Sequence, residues 1–523
     1  MLLALLAAHG LLAWQLRARG IFTFGDDAAY LLLSRSLHAL SYREAQFVGT
    51  PIAARFPPGY PAFLAVLTAP AGEHLWLISL GGILVSMLGL WFAFDVIRRR
   101  WSVELAFLTT AAIAVNPIVV TNAGSVTSET LFTTLTLGAL WAAERADWVR
   151  GRQLVFGRAA LAAGAFAIVA ALTRSAGVTL ILALGAHWLI RRRWRWLVTF
   201  AVATTMTVGA WLTWTVVAPE RGVRRSYVDD AVNVRMGDGS FQSTMVQRLK
   251  RNVSTYVGQS SLTELSLPVT PATRLDNVAW VAVLGGLVLL GLFSAWGRWN
   301  AIVWYIGAYA ALLAVWAYTL ERFLDPLIPP IIAVMLIGAA SVATVLPERL
   351  RLVIPTLVAM TLTLFALGED GGLVATAQDC ERTRVSCARP AALDYLDAIA
   401  YLREHSSPDA RVVTSKAPTL YYHAKRQALF WDEVITQPPD SLDPLLRRQN
   451  VSFVLTTPIF SDHLTLVRLA HRDCARLDLV RAFSAQTLLL AVRPLDAPPD
   501  PSSRACLALD RAERLAPLIR DRG

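Results

Sequence analysis

The chain has 523 residues, of which 55% are hydrophobic and only 17% charged, with a mean hydropathy of +0.47. That leaves too little polar surface to cover a water-soluble body of this length, which excludes a soluble globular protein and implies a polytopic membrane protein. The net charge of +11 would suit nucleic acid. The arginines, however, fall in short clusters between apolar runs, the pattern of topology signals and anionic-lipid contacts, and no nucleic-acid motif is present.

Met1 to Leu16 is apolar and lacks the basic start and small-residue cleavage site of a signal peptide, so it reads as an uncleaved first helix. Arg17 and Arg19 follow it, against the charge rule for the topology below. The stretch from Gly25 to Pro61 then sets Asp26 and Asp27 at a membrane–water boundary. Carboxylates there are costly unless hydrated, paired or used, although they also suit the first turn of a helix. Residues 27–42 alternate apolar and polar groups as a helix lying in the interface plane does. Pro57, Pro58 and Pro61 interrupt regular structure, and 62–69 is too short to span, so 20–74 reads as a first outer loop with short interfacial helices.

Apolar spans follow at 75–97, 103–120, 131–143, 159–172, 178–190 and 197–217, and after a second large outer loop (218–277) at 278–296, 301–320, 327–345 and 352–367. With the first helix these make about eleven crossings. Basic clusters at Arg98–Arg100, Arg145–Arg158, Arg191–Arg195, Arg298 and Arg349–Arg351 mark alternate ends as cytoplasmic. The opposite face carries Asp26, Asp27, Glu129, Arg174, Arg322 and the whole tail from residue 368.

All four cysteines, Cys380, Cys387, Cys474 and Cys506, lie in that tail. An even number confined to one polar region points to disulfides in an oxidising compartment, with three pairings open; buried free thiols are the competing reading. Short loops favour Cys380 with Cys387 and Cys474 with Cys506. Helical patterns at 393–405, 441–449 and 462–470 alternate with strand-like runs at 411–414, 452–456 and 487–492, which predicts a small α/β domain over 368–523.

On the outer face, arginines and acids gather at the ends of spans. Arginine forks bind phosphate and a carboxylate can act as base, a combination suited to a reaction on an anionic lipid. Each residue also has a plainer reading: Arg174 and Arg322 as interfacial anchors, Glu129 as a favourable charge at a helix start.

The motifs, in order, are Asp26-Asp27-Ala28-Ala29-Tyr30, Arg55-Phe56-Pro57-Pro58-Gly59-Tyr60-Pro61, Asn116-Pro117, Ser128-Glu129-Thr130, Thr173-Arg174-x-x-Gly177 and Arg322-Phe323-x-x-Pro326-x-x-Pro329. This set resembles the GT-C superfamily of polytopic glycosyltransferases, and within it family 39: bacterial relatives of the protein O-mannosyltransferases and the lipid A aminoarabinose transferases. The resemblance covers about residues 20–345.

The resemblance implies an α-helical polytopic fold, with a GT-C-like catalytic domain over 1–367 and the extracytoplasmic α/β domain behind it. It implies Asp26 as general base or acceptor-orienting group, Asp27 where relatives usually have Glu, and Glu129 as the second active-site acid. Arg55, Tyr60, Arg174 and Arg322 are implied on the side of the lipid-linked phosphate. Phe56 departs from relatives that carry Lys directly before the first proline. Members differ in their need for a divalent metal, Mg or Mn, and the sequence shows no His/Asp cluster that decides it.

The expected activity is transfer of a sugar from a polyprenyl-phosphate carrier to a lipid, glycan or protein acceptor at the outer face of a bacterial plasma membrane. One base without an evident covalent nucleophile fits inversion, and the 218–277 loop is long enough to close over the site. The alternatives are a transporter or flippase for a lipid-linked sugar, which would place its charges near the bilayer midplane, and a non-catalytic envelope-assembly protein working through its tail.

Overall fold

The computed structural model describes residues 1–21, 26–70, 72–148, 153–217, 241–257, 265, 274–296, 299–317, 319–383, 388, 390–430, 433–434, 442–459, 463–494 and 496–515. The first half of the chain is helical: α1 (Leu2–Gln15), α2 (Asp27–His38), α3 (Gly59–Thr68), α4 (Leu75–Arg100), α5 (Val103–Ala114), α6 (Pro117–Ala123), α7 (Ser128–Trp148) and α8 (Gln153–Thr173). It continues as α9 (Val178–Ile190), α10 (Trp194–Thr204), α11 (Ala210–Val217), α12 (Phe241–Thr255), α13 (Arg274–Ala295), α14 (Asn300–Val315), α15 (Ile328–Val342) and α16 (Val353–Thr383). The tail holds α17 (Pro390–His405), β1 (Val412–Val413), α18 (Ala417–Ala424), α19 (Asp443–Arg448), β2 (Phe453–Leu455), α20 (His463–Arg472), β3 (Leu477–Ala482), β4 (Leu488–Val492) and α21 (Arg504–Leu515).

Among the described residues five helical stretches are long and apolar enough to cross a membrane: Leu75–Arg100, Trp194–Val217, Val278–Ala295, Glu321–Val345 and Glu348–Arg382. They become six if α5 and α6, bent by 67° at their junction, count as one broken span. The chain is a multi-pass membrane protein. Other expected crossings correspond to shorter apolar helices, Leu2–Gln15, Gly157–Thr173, Ser175–Ile190 and Asn300–Val315. The bend has a local cause. Pro117 has no N–H to give, and the Asn116 side chain accepts from the N–H groups of Ile118 and Val119, capping α6 within the bundle.

Chain contacts divide the protein into two compact units. Unit 1 comprises Met1–Arg19, Phe56–Trp214 and Tyr227–Arg382, and unit 2 comprises Gly20–Arg55, Thr215–Ser226 and Thr383–Gly523. The sequence pattern places one boundary at 367 and keeps 20–74 inside the first domain as an outer loop. Contacts instead join the segment 20–55 to the tail, and α16 runs 16 residues past 367 to Thr383.

Unit 1 packs through small residues, as helices must where lipid supplies no hydrophobic drive between them. Ala139, Ala142, Ala143 and Ala146 of α7 are buried in one cluster with Ala160, Ala163, Ala167 and Ala170 of α8. Helices α13 and α15 approach more closely still. A Cβ added at Gly291 would collide with the Val334 carbonyl oxygen, and one at Gly338 with that of Leu287. Arg17 and Arg19 are accounted for locally: Arg17 stacks 4.3 Å from the Trp14 ring centroid, and Arg19 pairs with Glu381 at 3.0 Å.

Unit 2 contains a four-stranded sheet in the order β1-β2-β4-β3, with β1 and β2 parallel and the other pairings antiparallel. The edge strand β3 has no counterpart among the sequence-predicted strands, because most of its side chains are exposed and it lacks a buried apolar run. Residues 43–52 are knitted to the tail through their backbone: Val48 donates to the Ala428 carbonyl, and Ala428 to that of Gln46. Tyr30, Leu31, Leu32 and Leu33 of α2 are buried, so this helix does not turn an apolar face to lipid as its pattern predicts; Ala39 and Leu40, just past its end, are exposed. Cys474 and Cys506 are disulfide-bonded, with Cα atoms 5.0 Å apart. Cys380 is disulfide-bonded, and Cys387 lies outside the described residues.

The α13–α15 contact makes a stability prediction. Gly338→Ala should lower the thermal midpoint in detergent, since overpacking costs about 1–3 kcal/mol. Gly185→Ala in α9, where an added Cβ meets nothing within 4 Å, should be neutral or stabilising by helix propensity. Equal midpoints for the two variants would show that the close approach is not a packing constraint.

Candidate functional site

In unit 1 the acids and arginines gather where α6, α7, α8 and the turn before α15 end. Glu129 sits in the first turn of α7, where the helix dipole favours a carboxylate. Arg174 follows α8 in extended conformation, ahead of the short helical turn Ser175–Gly177. The two side chains form an ion pair with Nη1 2.5 Å from Oε1, and only 14% and 7% of them are exposed. Arg174 also donates to Ser128 Oγ at 3.1 Å. The proline turn locks onto this place: a Cβ on Gly59 would stand 2.7 Å from the Leu172 carbonyl oxygen and 2.9 Å from Thr173 N, one residue before Arg174. Glycine is therefore required where α3 begins, and the next residue, Tyr60, is buried.

A second buried polar contact lies beside the first. Asn122, at the end of α6, donates to Asp325 Oδ2 at 2.7 Å. Ser86, Asn122, Glu129, Thr130, Thr134 and Asp325 are among the residues lining one cavity with about 30 Å³ of accessible space. That admits a water or two and no sugar. Arg322 occupies the turn Glu321–Phe323, half-buried, with its guanidinium 6.0 Å from the Phe323 ring centroid. The turn is fixed from two sides. Tyr309 of α14 donates to the Phe323 carbonyl, and the Tyr256 hydroxyl donates to the Leu320 carbonyl. Asn252 of α12 donates to the carbonyls of Leu313 and Trp316 at the end of α14, both at 2.8 Å. The 218–277 loop otherwise lies largely outside the described residues.

In unit 2, Asp27 is 1% exposed and accepts from the Ala28 N–H at 2.8 Å. Asp26 holds the N-cap position of α2 but makes no side-chain capping bond. Its Oδ1 instead lies 4.0 Å from Lys416 Nζ, with 23% of the Asp26 side chain and 17% of the Lys416 side chain exposed. Arg55, half-buried, ends the first segment of this unit. Of the residues picked out by sequence, Glu129 and Arg174 are thus joined to each other, and Asp26 is joined to a lysine that sequence reading passed over. Lys416 and Asn252 carried no distinguishing sequence signal; Asn122 and Asp325 sit inside the helix-end segments of Glu129 and Arg322 without marking themselves.

Among the described residues no three of His, Cys, Asp and Glu come together as metal ligands. The carboxylates of the cavity, Glu129 and Asp325, are engaged by a guanidinium and an amide. These residues do not fit a divalent-metal site.

With helical bundle, sheet-bearing unit and paired charges in view, the fold is that of the GT-C membrane glycosyltransferases. Residues 55–218 match the family model described as dolichyl-phosphate-mannose-protein mannosyltransferase, a segment that includes Arg55, Tyr60, Glu129 and Arg174. The chain is similar to ArnT from Cupriavidus metallidurans in the apo state, with TM-score 0.57 and 17% identity over 94% of this chain and 97% of that one. The same ArnT bound to undecaprenyl phosphate gives TM-score 0.55 and 17% identity, over 95% and 99% of the two chains. The archaeal oligosaccharyltransferase AglB from Archaeoglobus fulgidus, in complex with an inhibitory peptide and a dolichol-phosphate, gives TM-score 0.56 and 13% identity over 98% and 77%. No curated protein matches the chain at the level of sequence.

The ion pair predicts a coupled effect on stability. Removing one partner of a buried pair costs about 3–5 kcal/mol, whereas removing both costs less. Glu129→Gln and Arg174→Met should each lower the unfolding midpoint, and the double variant should fall short of their sum. Strict additivity in detergent-solubilised protein would mean the two charges do not support each other.

Proposed function

We propose that this chain transfers a sugar from a polyprenyl-phosphate carrier to an acceptor at the extracytoplasmic face of a bacterial plasma membrane, with inversion at the anomeric carbon. The observation that carries this reading is the buried Glu129–Arg174 pair, built at the ends of α7 and α8 inside the segment that resembles a lipid-phosphate-dependent mannosyltransferase. A phosphate on the anomeric carbon leaves without protonation. The protein's tasks are then to raise the acceptor nucleophile with a carboxylate and to neutralise the departing phosphate with guanidinium groups. Asp26 is assigned the first task. Arg174 is assigned the second, with Glu129 orienting the guanidinium and Ser128 holding it from the side; Arg322 is assigned to the same anion.

The topology reading is supported by unit 2. Its segments Gly20–Arg55 and Thr383–Gly523 belong to one folded body, and such a body stands on one side of a bilayer. The chain between them therefore crosses an even number of times. Ten crossings after the first helix, about eleven in all, meet that condition, and the Cys474–Cys506 disulfide suits an oxidising side.

Purified protein in liposomes, supplied with a panel of polyprenyl-phosphate sugars and envelope lipid, glycan and peptide acceptors, tests the proposal. Asp26→Asn should lower turnover by about 10²–10⁴, the usual worth of a general base. Arg174→Lys should weaken donor use by roughly 1.5–3 kcal/mol while leaving expression intact, because an ammonium cannot present two donors in one plane. Movement of the lipid-linked sugar across the bilayer with no transfer would replace this reading with a transporter.

A further inference from the structure

Two residues of unit 2 stand where local rules would place something else, and they face each other. Asp26 occupies the N-cap of α2, the position at which a carboxylate ordinarily accepts a backbone N–H of the first turn. Its backbone there is helical (φ −106°, ψ −9°) rather than extended, and its side chain makes no such bond; the neighbouring Asp27 accepts from Ala28 N. Lys416 occupies the N-cap of α18. Small polar residues are preferred there, and a cation meets the positive end of the helix dipole. Each residue forgoes a local stabilisation, and the two charged groups lie 4.0 Å apart, Nζ to Oδ1. Departures from local preference concentrate at functional sites, where another requirement has fixed the residue.

The lysine is also held from behind. Tyr395 is fully buried in α17, and its hydroxyl bridges Thr414 Oγ1 at 2.9 Å and the Lys416 carbonyl at 3.0 Å. Burial pushes the Tyr395 hydroxyl above its ordinary range, so it remains a neutral donor. Thr414 follows β1 directly, so Lys416 stands at the carboxyl end of a parallel strand, the place where open α/β sheets present their functional groups.

We infer that Lys416 is the positioning residue for Asp26: its ammonium, 4.0 Å from the carboxylate, fixes the direction in which that carboxylate meets the acceptor. The inference rests on the transferase reading for Asp26 as base and adds the tail as the source of its orientation. A carboxylate released from Lys416 would lose its fixed direction, leaving the acceptor bound but unactivated. The loss would then fall on kcat and leave KM for donor and acceptor in place.

Two measurements test this separately. Carbodiimide activation of the purified full-length protein should yield an isopeptide bond between Asp26 and Lys416, found by peptide mapping and absent from Asp26→Asn. This readout needs no activity and survives failure of the transferase reading. In the liposome assay Lys416→Ala should lower kcat by about five- to tenfold at unchanged KM and unchanged unfolding midpoint. Lys416→Arg, or added methylamine on Lys416→Ala, should restore most of it. Absence of the cross-link overturns the pairing. A Lys416→Ala protein with wild-type kcat, or one whose loss lies in KM or in the midpoint and which neither Arg nor amine restores, overturns the positioning role. Wild-type protein that forms the cross-link yet transfers no sugar overturns the transferase reading while leaving the pairing in place.

Discussion

A carboxylate and a guanidinium taken out of water cost several kcal/mol each, and their attraction offsets this only when geometry is close and the remaining donors are met. The ends of α7 and α8 are arranged around that demand. Glu129 is placed by the start of α7, and Arg174 by the turn that closes α8. Ser128 takes a further guanidinium donor. The glycine of the proline turn lets α3 press against the α8 terminus without displacing it. Move any of these and an ion is left buried at short range from nothing of opposite sign in the right place. The motif residues are therefore better understood as one electrostatic assembly than as independent contacts.

The same demand governs the neutral polar groups of the bundle. Where a helix breaks inside an apolar medium, the freed backbone groups need partners. Asn116 supplies them at the start of α6, and Asn252 does so for the last carbonyls of α14. His9 of α1 bridges the Ala114 carbonyl and Ser86 Oγ, tying α1 to α5 and α4. These breaks are what bring Asn122, Arg322 and Asp325 to chain ends where chemistry is possible. At these two breaks side chains meet the freed backbone groups.

Much of this was legible in the sequence because its signals are local. Apolar run length and arginine placement gave the helical bundle, and the order of short motifs pointed to Glu129 and Arg174. What stayed hidden depends on partners distant in the chain. Lys416 reads as a loop lysine until α2 is set beside α18. Residues 43–52 read as an outer loop until their backbone is seen bonded to Ala428. The pattern of α2 was correctly amphipathic, yet pattern does not say whether lipid or protein covers the apolar side; here protein does. The edge strand β3 failed for the opposite reason, being too exposed to carry a pattern at all.

The stitching of residues 43–52 to the tail also sets a schedule for biosynthesis. The Gln427 side chain donates to the Ala45 carbonyl across 382 positions of sequence. At ribosomal speeds, the early segment must wait on the order of tens of seconds for its partner to be made. Residues 43–52 are thus among the first to be synthesised and wait for tail residues made far later to complete their hydrogen bonds.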